Sequence, residues 1–350
     1  MEELDVLVDL VMKEGASDLH ISEGNNPYIR IAGQLVPLTK YPKFTRTIIE
    51  NILSKVLTPA KQEAFKSQQS ADFAYAHKGE RFRSHAFVDQ QRICLAFRYI
   101  SNKIPTLTEL NLPEGLENFA RLKSGFFLVV GPTGHGKSTT LASLVELINT
   151  ERLENIITIE DPIEYVFTPK KSIIHQREIG QDTPSFASAL HDSFRADVNV
   201  IMVGEMRDPE SISIALTAAE TGHLVFSTLH TNSISQTIDR IVDSFPGAQQ
   251  GQIRSQLSTT LIGIVSERLI PRIAGGRIPA CEIMFVNSAI KNLIREKKTY
   301  QIDLVIDTSV QEGMTSLNRS LVELVRKREI SLESAEAYSL NASELRQLLG

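Results

Sequence analysis

The run Gly131-Pro132-Thr133-Gly134-His135-Gly136-Lys137-Ser138 fits the pattern G-x-x-x-x-G-K-[ST]. The chemistry of that pattern is phosphate binding. Its glycines let successive backbone N–H groups turn inward around phosphate oxygens, and a helix starting at its end adds a positive N-terminus. Lys137 is expected to reach the β- and γ-phosphates and the Ser138 hydroxyl to ligate Mg²⁺. Pro132, Thr133, Gly134, His135, Gly136 and Thr139 complete the cradle for ATP or ADP. His135 stands at a variable position of the loop and reads as a solvent-facing substitution rather than a catalyst.

A phosphate loop needs acids on neighbouring strands. Val198-Asn-Val-Ile-Met-Val203-Gly204-Glu205 is a buried-strand pattern ending in one, so Glu205 could hold the metal's water shell or polarise water. Ile156-Ile-Thr-Ile-Glu160-Asp161-Pro162-Ile163-Glu164 is a second such strand, with three carboxylates at the end where α/β sheets bind ligands. Surplus carboxylates would repel a triphosphate, so at least one should face the attacking water. Spacing leaves Glu160 and Glu164 both open. His223 and His230 frame a third strand, but seven residues at ~3.3 Å put them about 23 Å apart. The odd separation also points them to opposite faces, so they do not share a metal. His230, at the C-terminal end, is the one near the nucleotide.

These residues require a scaffold, and its pattern is legible. Phe126–Val130, Ile156–Ile159, Val198–Val203 and Leu224–Leu229 are short, almost continuously apolar runs, as expected of strands buried on both faces of a parallel sheet. Between the first two, Leu141, Leu144, Val145 and Ile148 share one face of a helix over about 138–148. The alternation predicts an α/β, doubly wound domain over 118–350. Near Ile270–Ile283 two β-prone stretches joined through Gly275-Gly276 read as a hairpin, and beyond Asn287 the chain reads as helical. Upstream, residues 1–100 combine a helix at 4–13, another at about 45–57 and alternating stretches at 20–22, 28–31 and 81–87, a small α+β domain. Residues 101–117, with Pro105 and Pro113, read as the linker.

The 350 residues suit about two domains, and 42% apolar with 23% charged residues excludes a mainly disordered chain. A net charge of −5 gives no reason to expect a nucleic-acid partner. Two cysteines exclude a disulfide scaffold and a four-cysteine zinc site and fit a reducing compartment. The acidic start, Met1-Glu2-Glu3-Leu4-Asp5, is unlike a signal peptide, and Phe126–Val130 falls far short of the ~20 apolar residues a membrane helix needs. A cytoplasmic protein without direct membrane insertion is expected.

The phosphate loop, the acidic box Ile159–Glu164, Val203-Gly-Glu-Met-Arg-Asp208 and the box from Thr217-Ala-Ala-Glu-Thr-Gly-His223 to His230 together resemble the secretion ATPases of type II and type IV pilus systems. Ala16-Ser-Asp-Leu-His20 and Ala289-Ile-Lys-Asn-Leu-Ile-Arg-Glu296 resemble the N- and C-terminal motifs of the pilus retraction branch. The resemblance spans essentially the whole chain. It implies a RecA-like P-loop ATPase domain behind a PAS-like domain, and a homo-hexamer binding nucleotide between N- and C-terminal domains. It also implies Mg²⁺-dependent hydrolysis of ATP to drive pilus retraction and twitching motility. The ring would sit in the cytoplasm at the inner-membrane pilus base, against a platform protein and beside an accessory ATPase paralogue. By position, Glu164 matches the catalytic glutamate, Glu205 the Walker B acid and His230 the histidine near the γ-phosphate. Arg81, Arg83 and Arg98 lie where such N-terminal domains supply arginines to the phosphates, a task suited to a permanently charged, bidentate group.

The chain departs from the family wording at His135, where Ser is usual, at Lys291, where Arg is usual, and at Arg195-Ala-Asp-Val-Asn199, before the Walker B strand. None of these removes a phosphate or metal contact. Alternatives are an assembly or type II secretion ATPase, and a weakly hydrolysing accessory paralogue. Assembly relatives usually carry a four-cysteine module and longer N-terminal domains, which this chain does not match.

Overall fold

In the computed structural model, which describes residues 2–31, 33–100, 103–206 and 208–350, the chain divides into two units. One comprises Met1–Lys103 with Glu164–Val166, the other Ile104–Ile163 with Phe167–Gly350.

Period-two burial organises the first unit. Helix α1 (Glu2–Lys13) is followed by β1 (Asp18–Ser22), β2 (Tyr28–Ile31) and β3 (Gln34–Pro37). Next come α2 (Arg46–Val56), α3 (Pro59–Gln68), β4 (Ser70–His77), β5 (Glu80–Asp89) and β6 (Arg92–Ile100). Thr45 and Thr58 cap α2 and α3, their hydroxyls accepting from the amides of Ile48 and Lys61. The antiparallel sheet runs β3-β2-β1-β6-β5-β4. Leu19, Ile21, Phe82, Ala86, Leu95 and Phe97 are buried in one core with Leu4, Leu7, Val8 and Val11 of α1 and Ile49 and Ile52 of α2. Residues of the same strands with the opposite parity turn away, and the sheet's charges lie among them.

The second unit is layered. Its elements are α4 (Glu117–Arg121), β7 (Gly125–Val130), α5 (Lys137–Glu151), β8 (Asn155–Glu160), β9 (Ile173–Glu178), α6 (Phe186–Ser193), β10 (Val200–Val203), α7 (Pro209–Glu220), β11 (Leu224–Leu229), α8 (Ile234–Asp243) and α9 (Gly247–Thr260). The long strands β12 (Leu261–Pro271) and β13 (Arg277–Phe285) follow, then α10 (Ser288–Arg295), α11 (Ile302–Thr308), α12 (Leu317–Arg326), α13 (Leu332–Tyr338) and α14 (Ala342–Leu349). The sheet runs β13-β12-β7-β11-β10-β8-β9, parallel except for the β12–β13 hairpin. Strands β7, β10 and β11 are buried along their whole length, as their unbroken apolar runs require.

Two expectations change in detail. The hairpin expected near Ile270 begins at Leu261, so its first strand already flanks β7. The stretch expected as a linker begins on residues 101 and 102, outside the described residues. From Ile104 it groups with the second unit and buries Leu107, Leu112 and Leu116.

Candidate functional site

The loop between β7 and α5 has left-handed backbone where the motif has glycine: φ is 80° at Gly134 and 97° at Gly136. Gly136 is the N-cap of α5 and has no side chain to satisfy the first amides, which stay available to an anion. The Lys137 side chain is buried, and Nζ donates to Gly131 O at 2.9 Å and Pro132 O at 2.8 Å. Burial holds this ammonium below the usual lysine range, with the charges of Glu267 and Glu205 opposing the shift.

Lys137 Nζ also lies 3.2 Å from His230 Nδ1. An ammonium only donates, so Nδ1 accepts and the imidazole proton sits on Nε2. That N–H points at Glu205 Oε2, 3.1 Å away. Lysine, histidine and glutamate thus form one polarised chain. Thr133 Oγ1 joins it, 3.3 Å from the same Nδ1. The strand ends that bring the parts together are stitched side by side: Ser227 Oγ donates to Val203 O at 2.8 Å and Thr228 Oγ1 to Gly204 O at 2.6 Å. Ser138 and Thr139 open α5 beside this chain, Ser138 exposed and Thr139 half-buried.

The remaining expected residues have their own surroundings. Glu160 is buried, its Oε1 accepting from Thr158 Oγ1 at 2.6 Å and Gln176 Nε2 at 3.3 Å, inside its own sheet. Glu164 is half-buried and groups, with Tyr165 and Val166, with the first unit. Arg81, Arg83 and Arg98 also belong to that unit. Arg98 Nε donates to Asp18 Oδ1 at 2.9 Å, and Arg83 stands directly opposite Arg98 across β5–β6. Arg30 approaches the other Asp18 oxygen at 3.6 Å, which makes Arg30–Asp18–Arg98–Arg83 one row across four strands. His223 sits at the far end of β11, where its Nδ1 lies 2.9 Å from Ala218 O.

His135 does not face solvent. It is half-buried, and its Nδ1 accepts from the Leu269 amide of β12 at 2.9 Å. Burial and the charges of Arg268, Lys137 and Arg277 lower its pKa, which keeps this nitrogen free to accept. Three charged residues outside the sequence motifs, Glu267, Arg268 and Glu282, are buried in the hairpin. Their signal was Glu267-Arg268 inside the apolar run Ile264–Ile270, a charge pair where a buried strand wants none.

A phosphate loop after an interior strand of a mostly parallel sheet, faced by a histidine and an acid from the ends of β11 and β10, defines a P-loop nucleotide-binding protein. The type II/IV secretion system protein family matches residues 2–330, and the chain belongs to that family. It is 43% identical over 324 residues to the type IV pilus retractation ATPase PilT of Pseudomonas aeruginosa, covering 92% of this chain and 94% of that protein. With the type IV pilus ATPase PilU of the same organism it shares 36% over 349 residues, 99% of this chain and 91% of that one. A crystal structure of the pilus retraction motor PilT with bound ADP superposes with a TM-score of 0.91 at 43% identity, covering 98% of both chains.

Proposed function

We propose that this chain is a Mg²⁺-dependent ATPase that works as a homo-hexameric motor of type IV pilus retraction. The observation that carries the chemistry is the Lys137–His230–Glu205 chain at the mouth of the phosphate loop. Likeness to PilT over nearly the whole chain, in sequence and fold, supports the role in retraction.

Two loop carbonyls accept from Lys137 Nζ. A triphosphate offers it stronger, charged acceptors, so Nζ exchanges Gly131 O and Pro132 O for phosphate oxygens. His230 loses its Lys137 donor at Nδ1, and that nitrogen can meet a γ-phosphate oxygen only after taking up a proton and becoming a donor, while Glu205 accepts from Nε2–H. Ser138 and Glu205 are the residues that would hold Mg²⁺, since an exposed hydroxyl at the helix start and a carboxylate just past the end of β10 are the oxygen donors that ion takes. When bound, the ion neutralises charge on the phosphates. Glu164 is assigned the general base, and Arg81, Arg83 and Arg98 supply guanidinium groups to the phosphates, both by motif position. No helix among the described residues is long and apolar enough to cross a membrane. A cytoplasmic ring resting on a platform protein at the inner-membrane pilus base fits that.

The test is Lys137→Ala, read twice. Purified protein should lose at least about 100-fold in turnover, as expected when a charge on the transferring phosphoryl group is removed. Cells carrying it should keep their pili extended and fail to twitch. Turnover within a few-fold of wild type would refute the phosphate-loop assignment. The 36% identity to PilU over 99% of the chain favours a second reading, an accessory retraction ATPase. It predicts that wild-type turnover is itself negligible unless a second retraction ATPase is present.

A further inference from the structure

Strand β12 outlasts its neighbour. Ser266 pairs with Val130, the last residue of β7, so Glu267 to Leu269 run on beside the phosphate loop. There the strand presses on the loop directly. A Cβ at Gly131 would stand 2.3 Å from the Glu267 carbonyl oxygen, and one at Gly136 2.6 Å from its Oε1. The Glu267 carboxyl, 3% exposed, accepts from Thr140 Oγ1 at 2.7 Å, and Thr140 lies one helical turn beyond Lys137. Two residues on, the Leu269 amide donates to His135.

The alternate residues of the same strand point the other way and grip the His230 loop. Arg268 Nη2 donates to Asn232 O at 3.0 Å, and Ser266 Oγ reaches the same carbonyl at 3.4 Å. Across the hairpin, Glu282 accepts from the Ile234 amide at 3.1 Å. One four-residue stretch therefore holds the phosphate loop on one side and the histidine loop on the other. A hydrophobic core has no use for this arrangement. Buried carboxyl and guanidinium groups are costly, and aliphatic side chains of like volume would pack as well.

We propose that Glu267 is a positioning residue for the nucleotide: through Thr140 and the loop glycines, with Arg268 on the opposite face of β12, it fixes the separation at which Lys137 and His230 meet the same phosphoryl group. This deepens the ATPase reading above and rests on it. The groups facing the carboxyl are Thr140 and Lys137 of α5 and the Cys281 thiol, paired with Glu267 across the hairpin. Burial raises Glu267 to about 7. Above that pH a negative charge forms beside the lysine that must bind the triphosphate, so KM for ATP should rise with pH. Burial and the neighbouring cations lower the His135 pKa, which moves its titration away from the alkaline side of that range.

The experiment compares wild type, Glu267→Gln, Glu267→Ala, Thr140→Val and the Thr140→Val/Glu267→Ala double variant. Each is assayed for ATPase from pH 6 to 8.5, for affinity toward a fluorescent ADP analogue and for thermal melting. We expect Glu267→Ala to lose roughly tenfold in kcat/KM, the scale of one misplaced charge-assisted contact. Glu267→Gln should recover most of that loss and abolish the rise of KM between pH 6 and 8. The double variant should be little worse than the worse single one, because both act through one bond. Wild-type kcat and KM in folded Glu267→Ala would overturn the proposal. Should that variant fail to fold, a KM–pH profile of Glu267→Gln identical to wild type would overturn it instead. A wild type that binds ADP without hydrolysing ATP would sink the ATPase reading alone. The inference would then stand or fall on whether Glu267→Ala binds ADP about tenfold more weakly than wild type.

Discussion

At the scale of single residues, what was legible was what lies contiguous in the chain. Lys137 and Ser138 are readable because phosphate binding needs glycines, a lysine and a hydroxyl within one turn. Glu267 and Arg30 are not, since their meaning comes from partners more than a hundred residues away and from a cross-strand register respectively. The two candidate bases make a ranking that kinetics can decide. Glu164→Gln should spare ATP binding and slow the chemical step by about 100-fold or more, because an amide keeps the shape and loses the proton acceptor. Glu205→Gln should do less if its task is to hold His230 and the metal. Turnover at saturating ATP and Mg²⁺ reads the order, and the reverse order would make Glu205 the base. Glu267 also carries a stability signature. Its folded pKa, raised from 4.5 to about 7, means that its neutral form is the one the fold prefers. The contribution is complete below pH 4.5 and lost as pH climbs through 7. Glu267→Gln should therefore gain in Tm over wild type at pH 8 and show little gain at pH 5. A constant difference across that range would mean that the carboxyl does not titrate there.

At the scale of elements, the buried strands of the second unit announce themselves by unbroken apolar runs, whereas edge strands do not. Every residue of β3 is exposed, and β9 is exposed or half-buried until its last residue, Glu178, so neither has the pattern of a buried strand. Helix α10 shows the same limit. By i, i+3 and i+4 spacing Ala289, Ile290, Leu293 and Ile294 share one face of α10, and of these Ile290 and Ile294 are fully buried. Leu293 is half-buried and Ala289 exposed, so the apolar stripe is narrower than the motif suggests. Lys291, on the polar side, borders a cavity of about 490 Å³ floored by Phe119, Ile262 and Phe285. The retraction motif this helix matches suggests a task separate from hydrolysis. Reversing charge at both Lys291 and Arg295 should leave ATPase turnover within about threefold while pili extend and are not withdrawn. Surface charge changes cost little stability, so a melt within a few degrees of wild type is expected alongside. Leu293→Ala is a poorer probe, because a lost core side chain costs ~2–5 kcal/mol when fully buried and would blur the reading. Normal retraction with both charges reversed would show that α10 serves only the fold.

At the scale of the whole molecule, the two units divide the charged groups that a phosphoryl transfer needs. The second holds the loop, the histidine and the strand-end acid. The first presents the row Arg30–Asp18–Arg98–Arg83, three cations against one carboxylate, on the sheet face its helices leave open. Asp18 engages two of these guanidinium groups, while Arg83 is exposed at the end of the row. A surplus of fixed positive charge is suited to phosphate oxygens, and in the proposed ring it would act on the nucleotide of another subunit. Activity must then depend on assembly, and specific activity should fall on dilution below the ring's dissociation range. Mixing gives the sharper test. A subunit with Arg83 and Arg98 replaced by Ala keeps its phosphate loop, and a Lys137→Ala subunit keeps its arginines. Each ring alone should be nearly inactive. Random mixing at equal ratio places the competent loop beside the competent arginines at about a quarter of the interfaces, so turnover should recover toward that fraction of wild type. Mixed rings, verified by native mass spectrometry, that show no recovery at any ratio would mean that each site is completed within one chain.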